Sequence, residues 1–164
     1  MPTLTAPLDF PLASLQDTAR LGRLLAAAAI LRNPGALLLS GPLGAGKTTL
    51  ARFLVEALPG GLDAEISSPS FTTANIYCTS PLTHHFDLYR LAHGLAALPE
   101  AALEESFDDA GVLTIVEWPE RLAPAQFPPE GVVCSLRREG GHGEASLTGF
   151  GTLGRLFLEL LPGL

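Results

Sequence analysis

The run Gly41-Pro42-Leu43-Gly44-Ala45-Gly46-Lys47-Thr48 restricts the fold of this chain more than any other stretch of it. It follows Ala36-Leu37-Leu38-Leu39, a short apolar run of the kind that forms a buried parallel strand. It opens Thr48 to Leu58, in which Leu50, Phe53, Leu54 and Ala57 recur at helical spacing until Pro59-Gly60-Gly61 stops the helix. The string fits G-x-x-x-x-G-K-[ST], the phosphate-binding P-loop pattern, in the strand, turn and helix context that its mechanism requires. Glycines let the main chain wrap so that successive N–H groups face phosphate oxygens, and the helix start adds the positive end of its dipole. Lys47 is then expected on the β and γ phosphates, and the Thr48 hydroxyl on a Mg²⁺ that bridges them. A chance match in a chain of this composition is expected in roughly one sequence in a thousand. The lysine count sharpens the point: all other basic residues are arginine, and Lys47 is the only lysine.

The 164 residues, 47% of them hydrophobic, suffice for one domain spanning 1–164 with a substantial core. A net charge of -7, with no basic run longer than Arg137-Arg138, argues against a protein that grips nucleic acid through many phosphate contacts. Any role on nucleic acid is expected to be indirect. The longest apolar run, Leu24 to Leu31, falls well short of the roughly 18–20 residues that cross a bilayer. The first basic residue is Arg20, so the charged start of a signal peptide is missing and a soluble, cytoplasmic protein is expected. Cys78 and Cys134 are isolated in sequence, which fits reduced thiols with packing roles rather than a disulfide framework or a metal site.

Elsewhere the pattern alternates. Residues 1–13 hold three prolines and suggest an extended or edge-strand lead-in. Ser14 and Asp17 have the form of a helix N-cap and its capping partner, leading into Thr18 to Leu31 with Leu21, Leu24, Leu25 and Ala28 at helical spacing. Ser70 to Tyr77, His84 to Leu88 and Val112 to Val116 read as strands, and Leu98 to Phe107 as a helix. Val132 to Leu136 and Ala145 to Thr148 flank a glycine-rich turn as a hairpin, before a last helix at Leu153 to Leu161. The expected fold class is α/β: a three-layer P-loop NTPase fold with a mainly parallel central sheet.

In open α/β sheets ligands lie beyond the carboxyl ends of the strands, so acidic residues that close apolar runs are the candidates for chemistry. Glu117 closes Val112 to Val116 and is a candidate Mg²⁺ ligand opposite Thr48, with a solvated strand end or a helix cap as the alternative for it and for Asp87. Asp87, in His84-His85-Phe86-Asp87-Leu88-Tyr89-Arg90, could hold a metal-bound water or orient the attacking one. Arg90 and Arg121 could neutralise transition-state charge or form structural ion pairs. His84 and His85 are assigned no chemistry. Ser67 to Thr73, after the first helix beyond the loop, lies where a γ-phosphate-sensing switch is often found, and a plain turn into a strand accounts for it as well.

Gly-Pro-Leu-Gly-Ala-Gly-Lys-Thr-Thr (41–49), Ser-Pro-Ser-Phe (68–71), His-Phe-Asp-Leu-Tyr-Arg-Leu (85–91) and Val-Glu-Trp-Pro-Glu-Arg (116–121) together resemble the TsaE family, also called YjeE. The resemblance spans most of residues 14–122. It implies a small bacterial ATPase required for threonylcarbamoyladenosine (t6A) in tRNA, working with TsaB and TsaD, weakly active alone and meeting tRNA only through the complex. It further implies that Gly44 to Thr49 hold the ATP phosphates, Thr48 and Glu117 ligate Mg²⁺, Asp87 supports hydrolysis, and Leu15 and Thr18 line the adenine. Three features depart from the family pattern: Ser70 replaces the usual Thr, Pro42 a common Asp, and Gly140-Gly141-His142-Gly143 stands where an Arg is usual. Arg137 or Arg138 are the candidate substitutes.

Other classes remain to be separated from this one. A small-molecule kinase on the same scaffold needs a mobile, arginine-rich lid, whereas the arginines here are dispersed. A GTPase usually reads guanine through Asn-Lys-x-Asp, which a chain with Lys47 as its sole lysine does not contain. A non-enzymatic scaffold that keeps a nucleotide for stability is the third.

Overall fold

The computed structural model describes residues 3–63, 74–89 and 100–163. Strand β1 (Leu8–Leu12) leads into helix α1 (Leu15–Leu31), followed by β2 (Ala36–Ser40), α2 (Lys47–Ala57), β3 (Ala74–Tyr77), β4 (Leu82–Asp87), α3 (Glu100–Asp108) and β5 (Val112–Glu117). The C-terminal part is β6 (Gly131–Glu139), β7 (His142–Phe150) and α4 (Gly151–Leu158), closed by a short 3₁₀ turn at Leu161–Gly163. Helix α1 starts as its sequence indicates: Asp17 N–H donates to Ser14 Oγ at 3.2 Å, and Ser14 N–H donates to Asp17 Oδ2 at 2.9 Å.

The seven strands form one sheet in the order β1-β7-β6-β2-β5-β4-β3. Strand directions correct the expectation of a mainly parallel sheet. The β6-β2, β2-β5 and β5-β4 pairs are parallel, while β1-β7, β7-β6 and β4-β3 are antiparallel, so the sheet is mixed. Connection length is the reason. Only Gly140 and Gly141 join β6 to β7, and residues 78–81 join β3 to β4, and neither connection is long enough to cross over and return parallel.

Alternation along the central strands sorts the core onto two faces. Leu37, Leu39, Leu113 and Ile115 pack with α1, α2 and the end of α4, whose contributions include Leu25, Leu54 and Phe157. Ala36, Leu38 and Val116 point the other way, to Phe86 and to Leu103 of α3. Ala36 to Leu39 of β2 and Val112 to Val116 of β5 are therefore buried on both sides, with Thr114 the one polar side chain among them, as suits central parallel strands. Their carboxyl ends, Ser40 and Glu117, meet the start of α2 at one edge of the molecule. No described helix is long and apolar enough to cross a membrane.

Candidate functional site

The turn between β2 and α2 takes a shape that only glycine adopts readily. Gly44 and Gly46 have φ of +79° and +104°, and a Cβ on either would project into open space rather than into protein. The loop is thus bare on its outer side and leaves room for a ligand against the main chain. Gly46 is the N-cap of α2 and has no side chain to satisfy the first-turn N–H groups, which lack helical partners. Those unsatisfied donors, with the dipole behind them, suit an anion. Ala45 is buried in the core beneath the loop, its N–H donating to the Pro42 carbonyl at 3.1 Å. Gly41, at φ +143°, lies so close to the Leu136 carbonyl of β6 that a Cβ would collide with it.

Lys47 folds back over this loop. Its Nζ donates to the carbonyls of Gly41 at 2.7 Å and Pro42 at 2.9 Å, and stands 3.9 Å from the centre of the Trp118 ring. Burial lowers its pKa, while the nearby carboxylates Glu117, Glu120 and Asp87 act in the opposite direction. Beside it, Thr48 Oγ1 donates to Glu117 Oε2 at 2.8 Å. The other oxygen of Glu117 meets His85 Nε2, also at 2.8 Å. Glu117 and Asp87 are register partners at the ends of β5 and β4, and Asp87 Oδ1 accepts from the Tyr89 N–H at 3.0 Å.

Together these groups bound an open cleft of about 240 Å³, lined by Leu43, Gly44, Gly46, Lys47, Thr48, Thr49, Asp87, Tyr89, Glu117 and Trp118. Trp118 has the left-handed φ of +62°, a conformation that costs a bulky residue of order 1–3 kcal/mol. It turns the chain sharply after β5 and sets the indole against Lys47 and beside the tilted Tyr89 ring, whose centre is 5.2 Å away.

The site's chemistry can be tested against a triphosphate and its cation. Thr48 and Glu117 offer oxygen donors, the type Mg²⁺ prefers. Among the described residues no group of three or more His, Cys, Asp or Glu side chains is arranged to hold a metal unaided. A cation here would therefore share ligands with bound phosphates, which is how Mg²⁺ is usually held at nucleotide sites. The residues present fit Mg²⁺ with a nucleotide.

A family model described as threonylcarbamoyl adenosine biosynthesis protein TsaE matches residues 12–144. The chain belongs to the TsaE family. It is 37% identical to the TsaE protein of Treponema pallidum over 124 residues, which is 76% of this chain and 87% of that one. It is 41% identical to the TsaE protein of Streptomyces coelicolor over 103 residues, 61% of this chain and 66% of that one. The crystal structure of Bacillus subtilis YdiB superposes with a TM-score of 0.74 at 28% identity, covering 99% and 98% of the two chains.

Within this TsaE-family fold, the residues singled out from sequence fall into groups. Gly44, Gly46, Lys47, Thr48, Thr49, Asp87 and Glu117 meet at the cleft, with Gly41 and Ala45 supporting the loop from behind. Leu15 and Thr18 are not among the residues lining it: Leu15 is exposed at the start of α1, and Thr18 is buried with its hydroxyl toward the Ser14 carbonyl. Arg121 lies 5.9 Å from the Trp118 ring centre. Arg137 and His142 border a separate surface depression near Pro11, away from the cleft lining. Arg90 and the Ser67 to Thr73 segment lie outside the described residues. Sequence reasoning missed His85, and the available signal was its spacing. Two residues before Asp87 on a strand, it must share that carboxylate's face.

Proposed function

We propose that this chain is the ATP-binding and ATP-hydrolysing component of the bacterial t6A modification system. It acts with a TsaB-TsaD complex, and the alternatives are a small-molecule kinase or a nucleotide-holding scaffold. The observation that carries this reading is the 2.8 Å contact of Thr48 with Glu117 beside Lys47, at the open side of the glycine-rich turn. The family description and the shared name of the relatives support the pathway.

In this reading the N–H groups of Gly44 to Thr49 take the phosphate oxygens of ATP, and Lys47 leaves the Gly41 and Pro42 carbonyls to reach the β and γ phosphates. Thr48 and Glu117 hold Mg²⁺. When bound, the ion neutralises phosphate charge and so favours displacement at the γ phosphorus. Asp87, across from Glu117, orients the attacking water, and Trp118 with Tyr89 walls the cleft on one side. Leu15 and Thr18 are proposed for the adenine end. With a net charge of -7 and one lysine committed to the loop, the chain meets tRNA through its partners, in the cytoplasm.

Phosphate release measured with and without purified TsaB-TsaD tests the whole reading. Slow release alone, raised by the partner complex and dependent on Mg²⁺, is the expected result. Release indifferent to the partners would leave the scaffold or a kinase, and transfer of the γ phosphate to a small acceptor would select the kinase.

A further inference from the structure

We propose that His85 is a positioning residue for the metal-binding carboxylate: its ring N–H fixes one oxygen of Glu117 so that the other faces Thr48 and the cleft. The inference rests on the reading of Glu117 as a Mg²⁺ ligand and assigns a task to a residue that makes no use of the nucleotide itself.

The two oxygens of Glu117 have different partners. Oε2 accepts from the Thr48 hydroxyl on the cleft side, and Oε1 meets His85 Nε2 on the far side, each at 2.8 Å. A carboxylate only accepts hydrogen bonds, so Nε2 carries the hydrogen, whatever the charge on the ring. The bond therefore depends on a donor in a fixed place. His85 is held there by its strand: β4 pairs it with Ile115 of β5 and Asn75 of β3, and the Tyr77 ring stacks on it at 6.5 Å with a 24° angle between planes. His85 and Glu117 are 6% and 2% exposed, so water does little to compete for either group.

A free glutamate side chain samples several rotamers, and only some aim an oxygen at the start of α2. The His85 bond sits on the oxygen away from Thr48, so it can persist while Oε2 and the Thr48 hydroxyl turn to a cation. Hydrogen bonds to ligating carboxylates of this kind commonly account for about 10- to 100-fold in metal affinity.

The test uses Mn²⁺ as the metal probe. Its affinity for the full chain bound to a non-hydrolysable ATP analogue is read from the electron paramagnetic resonance of free Mn²⁺, and the affinity of the analogue alone is measured without metal. His85→Leu is expected to weaken Mn²⁺ by about 10- to 100-fold and to leave the metal-free affinity of the analogue unchanged. His85→Gln, which retains an N–H donor at similar reach, should recover most of that loss. In a Glu117→Ala background, adding His85→Leu should cause no further loss, because the group it acts through is gone.

If Glu117→Ala loses Mn²⁺ affinity and His85→Leu does not, the positioning role falls while the metal-ligand reading stands. An equal loss of metal-free analogue affinity in His85→Leu, or a Gln variant no better than Leu, would reduce His85 to a structural part and overturn the proposal. Wild-type Mn²⁺ affinity in Glu117→Ala would overturn the reading of Glu117 on which the proposal rests.

Discussion

His84 and His85 are neighbours in the chain and stand on opposite faces of the sheet, where each completes a different buried polar group. On the α2 side, His85 Nε2 donates to Glu117, which in turn takes the Thr48 hydroxyl at the cleft. On the α3 side, His84 Nδ1 meets Ser106 Oγ at 3.0 Å, and Ser106 Oγ meets Thr114 Oγ1 at 2.6 Å. Thr114 gives its hydrogen to the Ser106 carbonyl at 3.1 Å, so Ser106 must donate to Thr114 and accept from His84. The adjacent rings thus carry their working hydrogens on opposite nitrogens. One network ends at an open cleft. The other ends inside the protein and fastens α3 to β4 and β5. A one-residue step along a strand is enough to send one histidine to the cleft carboxylate and the next to the α3 side, because the side chains alternate.

Substitutions on the two faces should accordingly move different observables. The largest effect is expected on the cleft side. Lys47→Ala removes the sole lysine and should weaken ATP binding, measured calorimetrically, by roughly a hundredfold or more, since a charge-assisted contact to phosphate is lost. The variant should still fold, although the Gly41 and Pro42 carbonyls lose their donor, and retained affinity would remove the phosphate role from that face. Ser106→Ala should do the reverse. It strands His84 and Thr114, so a loss of roughly 1–3 kcal/mol and a fall of a few degrees in melting temperature are expected, with ATP affinity intact. A change in nucleotide affinity there would mean that the two networks communicate through the sheet.

The smallest effect concerns acid. Burial lowers the His84 pKa below its ordinary 6.5, with Asp109 opposing the shift. Because the folded ring resists protonation more than the unfolded one, the unfolded state binds more protons as pH falls below that ordinary value. Stability is full above it and declines toward lower pH. Melting curves between neutral pH and mildly acidic pH should show this slope in the wild type and a shallower one in His84→Gln. Equal slopes would move the acid sensitivity to another group.

Much of the site was legible because its chemistry is local in sequence. The loop from Gly41 to Thr48, the strand before it and the helix after it form one continuous signal, and Glu117 stands out as the acidic end of an apolar run. Strand direction was harder to read. Apolar runs show that strands exist, but their sense depends on the connections, and the short links to β7 and β4 make those pairs antiparallel. The His85 bond to Glu117 spans positions far apart in the chain and depends on a register that composition does not encode. The left-handed turn at Trp118 leaves no glycine or asparagine to mark it, so local preferences gave no hint of it. Leu15 and Thr18 are not among the residues that line the cleft, so their place at the adenine end rests on the family resemblance and not on geometry.

The close approach of Gly41 to the Leu136 carbonyl ties the glycine-rich turn to a strand that contributes no residue to the cleft lining. Strand β6, paired with β2, backs the loop, and its Leu136 carbonyl leaves no space for a side chain at position 41. The hairpin is therefore part of the mould that shapes the turn, although none of its side chains is among the residues that line the cleft.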